Sequence, residues 1–121
     1  MFQNVKIGEQ EVPMLAMASV DHYYQVIFHE DPVALQADGK AQTPEGTIHF
    51  LQRMGFVMAK FAALHDRKAM LQLNEEAFFE WLDEFPRGAL LDALADIRAV
   101  YDGEQLPSVA AKKNSDDPSG A

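Results

Sequence analysis

A chain of 121 residues with 48% hydrophobic content has the size and composition of one globular domain, and its lack of cysteine excludes disulfides, thiolate catalysis and thiolate metal sites. Ten basic against nineteen acidic residues give a formal charge of −9, a field that repels nucleic acid, and the longest basic runs are the pairs Arg67-Lys68 and Lys112-Lys113. The apolar runs are too short to cross a membrane, and MFQNVKIGEQ is polar where the apolar centre of a secretory signal would sit. The expectation is therefore a soluble intracellular protein with neither nucleic acid nor membrane as a partner.

The first element in VKIGEQEVPML is a β-hairpin. Val5 and Ile7 alternate with polar neighbours, Gly8 opens a short turn and Val12 resumes the pattern. Pro13 makes the second strand an edge or ends it early. Two strands alone are marginally stable, so the hairpin has to lie on helices. Ser19 is placed to cap a helix beginning at Val20, with Asp21 in its first turn and Tyr23, Val26 and Ile27 on one face. Asp31-Pro32 stops that helix and starts a short one through Gln36, which ends at Asp38-Gly39.

Thr43 and Pro44 then open the longest helix, PEGTIHFLQRMGFVMAKFAALH. Its polar side chains His49, Gln52, Arg53 and Lys60 fall in one sector of roughly 100°, and the rest of the circumference is apolar, which marks a helix surrounded by others. Gly55 costs about 1 kcal/mol in helix propensity against alanine, a cost offset where it lets a neighbour approach closely. HDRKAMLQL reads as a polar turn and a short apolar stretch. Asn74 caps the next helix, with Glu75 and Glu76 in its first turn, and Phe85-Pro86 ends or bends it. The last helix, RGALLDALADIRAVYDG, carries the stripe Leu90, Leu94, Ile97 and Tyr101 and closes on Gly103. Residues 104–121 read as a disordered tail and residues 1–103 as the domain. The fold class is mainly α with some β: an N-terminal hairpin packed on a bundle of four to five helices.

Reactive chemistry is sparse. The histidines His22, His29, His49 and His65 include no pair at the i, i+4 spacing of a helical zinc site, and there is no phosphate-binding glycine loop or nucleophile elbow. His29, Glu30 and Asp31 read as a polar helix end, and the acidic pairs Glu75-Glu76 and Asp83-Glu84 as solvated faces. Neither a catalytic constellation nor a cofactor or metal site is expected. Two features point to binding instead. His49, Arg53 and Lys60 concentrate positive charge on one edge of the long helix, either neutralising acids of a neighbouring helix or meeting a partner or another copy of the chain. In LNEEAFFEWLDEF, Phe78, Trp81, Leu82 and Phe85 form a core stripe opposite Glu76, Glu80, Asp83 and Glu84. Phe79 lies about 100° away from Phe78, between the directions of Glu75 and Asp83, and is either covered by a second element such as the hairpin or open to a partner.

The order of these segments, with GEQEVPMLA, MAKFA and LNEEAFFEWL as the most specific pieces, resembles the tail assembly chaperones of long-tailed bacteriophages and prophages, over about residues 4 to 115. The resemblance implies a mostly helical, non-enzymatic protein. It would act in the cytoplasm of the bacterial host, hold the aggregation-prone tape measure protein, recruit tail tube subunits, self-associate, and be missing from the finished virion. It also implies a longer form made by programmed frameshifting. Lys112-Lys113 forces two adenine-rich codons near the end of this reading frame, the kind of sequence on which ribosomes slip. The competing reading is a small acidic adaptor or inhibitor that mimics DNA toward a nucleic-acid-binding protein.

Overall fold

In the computed structural model, residues 2–37 and 43–109 are described. Strands β1 (Phe2–Ile7) and β2 (Gln10–Leu15) form an antiparallel pair in register from Phe2 opposite Leu15 to Ile7 opposite Gln10. Gly8 takes a φ of 64° in the two-residue turn, a conformation glycine adopts without strain. Alternation sends Val5, Ile7 and Met14 into the core. Pro13 stands opposite Asn4 without ending its strand, which continues to Leu15. In a two-stranded sheet both strands are edges, so the missing amide hydrogen is tolerated.

Six helices follow: α1 (Val20–Phe28), α2 (Pro32–Ala37), α3 (Pro44–Leu64), α4 (Arg67–Leu71), α5 (Glu75–Leu82) and α6 (Arg87–Asp102). Most starts obey local rules. Thr43 Oγ1 accepts from the Gly46 amide at 3.0 Å, Asn74 Oδ1 from Ala77 at 3.0 Å, and Asp31 Oδ1 from Val33 at 3.0 Å. Ser19 breaks the expectation: its backbone is already helical (φ −73°, ψ −13°), and its hydroxyl makes no capping bond. The apolar face of α1 is also rotated from the expected one. Tyr23, Tyr24, Ile27 and Phe28 are buried, while Val26 is exposed. The turn and apolar stretch expected after residue 65 contain a further helix, α4, started by Asp66, which accepts from the Lys68 amide and lets Met70 reach the core.

Helix α3 is the centre of the molecule, packed by β2, α1, α4, α5 and α6, while β1 rests on α6. The hairpin thus lies across α3 and α6, and α1 and α5 cover other sides of α3. Gly55 is the point of closest approach. A Cβ there would stand 3.1 Å from Ile97 Cδ1 and 3.3 Å from Ile97 Cγ2, so the bare backbone lets α6 sit close against α3. Beside this approach, aromatic rings fill the core in a connected series. Phe28, Phe56, Phe78, Trp81 and Phe85 touch in edge-to-face pairs with centroids 5.1 to 6.2 Å apart. The Tyr101 hydroxyl at the far end donates to Asp21 Oδ1 (2.7 Å) and accepts from Gln36 Nε2 (3.3 Å), joining α6 to α1 and α2.

Packing continues beyond Gly103. Leu106 is buried, and residues 107–109 make a helical turn. The ordered chain therefore extends past the start of the expected tail at residue 104, and the remainder of that tail, from residue 110 onward, lies outside the described residues.

Candidate functional site

Helix α5 is short, and each of its sides has a distinct role. Asn74 fixes its start, and Glu75 and Glu76 sit where the helix dipole favours negative charge. Phe78 and Trp81 are buried against Phe56, and Phe85, just past the helix end, closes the same cluster. Phe79 is different: it is 58% exposed, touching Phe78 at a centroid distance of 5.6 Å and otherwise facing water. Neither the hairpin nor any other described element covers it. Around it Glu75, Glu76, Glu80 and Asp83 are all exposed, so a single large ring stands inside an acidic margin.

The three basic residues of α3 do not form one free stripe. Arg53 Nη1 pairs with Glu30 Oε1 at the end of α1, and its guanidinium lies 5.3 Å from the centre of the Phe28 ring. Lys60 lies half-buried, with Nζ 6.0 Å from the Phe56 ring centre, in a groove it shares with Pro13, Trp81 and Glu84. Both cations therefore lean on the edge of the aromatic cluster, and Arg53 neutralises an acid of the loop between α1 and α2 rather than of a neighbouring helix. His49 is exposed one turn before Arg53. Lys112 and Lys113 lie outside the described residues.

Arg53 and His49 instead meet residues of α1 and α2 around a small pocket of about 240 Å³. Tyr24, Glu30, Leu35, Gly46 and Phe50 complete its walls. Tyr24 is fully buried, and its hydroxyl has no hydrogen-bond partner. A buried hydroxyl left this way costs about 1–3 kcal/mol. Burial raises the Tyr24 pKa above its ordinary value, while the Arg53 guanidinium beside the ring pulls it down without reaching hydrogen-bonding geometry. Sequence patterning could not mark Tyr24, because its neighbours Glu30 and Arg53 come together only when α1 packs on α3.

Asp96 is the second residue that sequence reasoning passed over. It is only 6% exposed on α6, and its two carboxylate oxygens accept from the Ser108 amide (3.1 Å) and the Ser108 hydroxyl (2.5 Å). That pair pins the helical turn at 107–109 onto α6, a structural use that accounts for the buried charge. Among the described residues no three His, Asp or Glu side chains converge as a metal site, and no helix is long and apolar enough to cross a membrane.

Comparison with known protein families finds no family model that matches this chain, and comparisons with curated proteins and with solved structures find no match either.

Proposed function

We infer that the protein acts by binding, as a tail assembly chaperone of a long-tailed phage or prophage that holds apolar helical segments of a tape measure protein and brings tail tube subunits to it. The observation that carries this reading is Phe79, a large ring standing in water on a helix whose other rings are all packed. An exposed aromatic gives a partner an anchor of the kind that dominates interface energies. Its acidic margin keeps the exposed ring solvated in the free protein and suits an apolar helix flanked by lysine or arginine. The sequence resemblance supports the same class of activity. Self-association and a frameshifted longer form belong to this proposal, as does a place in the host cytoplasm rather than the virion.

Co-expression with the longest open reading frame of the neighbouring phage genes tests it. The expected result is that the protein keeps that long helical product in solution, and that Phe79→Ala weakens the complex at least tenfold, about 1.4 kcal/mol, while leaving melting unchanged. Full binding by Phe79→Ala would remove the ring from the interface. Capture of a DNA-processing enzyme in place of a tape measure, with binding lost as salt rises, would replace the reading with that of an acidic DNA mimic.

A further inference from the structure

A second pocket, of about 230 Å³, lies between α1 and α4, and the tail-assembly reading makes no use of it. Its walls are Ser19, His22, Tyr23, Val26, Arg67 and Leu71. Val26 and Leu71 are each 47% exposed, so two branched apolar side chains stand outside the core and converge on one cavity. Its charged residues are all of one sign. His22 and Arg67 are exposed, and Lys68 follows Arg67 in the only pair of consecutive basic residues among the described residues. Among those residues, neither His22, Arg67 nor Lys68 makes an ion pair. On a chain of net charge −9, a basic rim around an apolar pocket favours an acidic partner with an apolar group at its centre.

We propose that this pocket receives Phe79 of a second copy of the chain. The ring is 58% exposed, and no residue of α5 lines the pocket, so the two do not meet within one copy. Each surface supplies what the other lacks. The ring buries its faces against Val26 and Leu71, and the exposed Glu75, Glu76, Glu80 and Asp83 around it come opposite Arg67 and His22. Charge also works against the wrong matches. Pocket on pocket sets Arg67 against Arg67, and ring on ring sets carboxylate against carboxylate; only ring in pocket joins opposite signs. The contact either closes a pair of copies by two reciprocal insertions or runs on from copy to copy, and both arrangements contain the same unit. Its consequence rests on the tail-assembly reading: a Phe79 held by a neighbour is withheld from the tape measure, so copies shield one another's anchors until the client displaces them.

Sedimentation velocity of the full chain over a range of concentrations tests the contact. Wild-type protein is expected to associate. Phe79→Ala and Arg67→Glu are each expected to weaken that association at least tenfold and to leave melting of the dilute protein unchanged, since both side chains are exposed. The strongest arm mixes the two variants. Phe79→Ala keeps its pocket and Arg67→Glu keeps its ring, so the mixture is expected to associate where neither variant does alone. The proposal is overturned if wild-type protein stays monomeric up to about 1 mM, if either variant associates as wild type does, or if the mixture fails to recover association. Client binding separates this contact from the reading on which its consequence rests. Arg67→Glu has a free ring and is expected to hold the tape measure at least as tightly as wild type. Loss of the tape measure by Arg67→Glu while its copies still associate would assign the pocket to the client and overturn the proposal. Recovery of association in the mixture, with no tape measure held by any form, would leave the contact standing and sink the tail-assembly reading instead.

Discussion

Helices α5 and α6 break the rule of an apolar inner face and a polar outer face in opposite senses. On α5 an aromatic ring, Phe79, stands in water; on α6 a carboxylate, Asp96, is buried. The second exception is resolved inside the chain, because Ser108 donates twice to Asp96 and the pair holds the turn at 107–109 in place. The first is not resolved by any described element, so nothing in the fold explains why a phenyl ring is kept at that position. An internally satisfied exception reads as structure, and an unsatisfied one directs attention outward.

The sharpest way to test this contrast is at the two adjacent rings. Phe78→Ala removes a ring that touches Phe28 and Phe56, and is expected to cost about 3–5 kcal/mol in chemical denaturation. Phe79→Ala is expected to change stability by no more than about 0.5 kcal/mol, since surface positions away from caps and cores rarely do more. If the two substitutions cost the same, Phe79 has a structural partner after all and the contrast collapses.

Asp96→Ala comes next in size. Losing two hydrogen bonds to a charged group is expected to cost about 1.5–3 kcal/mol. Hydrogen exchange should show the Ser108 amide losing its protection while amides of α3 keep theirs. Uniform loss across the molecule would mean that Asp96 supports the whole core and not only the terminal turn.

Gly55→Ala is expected to destabilise by about 1 kcal/mol, the added methyl crowding the stiff, fully buried Ile97 by more than the gain in helix propensity returns. Ile97→Val in the same chain should make room, so the double variant should cost less than the sum of the singles. Simple additivity would show that the α3–α6 approach does not depend on this contact.

A further effect appears only at alkaline pH. The Tyr101 pKa is pushed up to about 12, chiefly by burial and then by its hydrogen bond to Asp21. A folded pKa above the unfolded value of 10.0 means that the folded state holds its proton longer. The stabilisation is complete below pH 10 and is lost as pH rises toward 12. Stability measured across that window should fall less steeply in Tyr101→Phe than in wild type, while the smaller contribution of the same sign from Tyr24 remains. Equal slopes would remove Tyr101 as a source of the loss.

Much of this architecture was legible in the chain because its signals act within one or two turns. Thr43, Asn74 and Asp31 each accept a bond from an amide two or three residues ahead, so a cap can be read from residue type and position alone. The hairpin turn at Gly8, the stripe of α6 and the core face of α5 follow from conformational freedom and periodicity in the same way. The tertiary structure decided what depends on elements meeting across long stretches of sequence. It paired Arg53 with Glu30, rotated α1 so that Tyr24 and Phe28 rather than Val26 face inward, and left the Ser19 hydroxyl without a capping role. It also gave Asp96 its serine, left Tyr24 without a partner and left Phe79 uncovered. A helical wheel states in which direction a side chain points, but only the packing of whole elements determines whether anything is there to meet it.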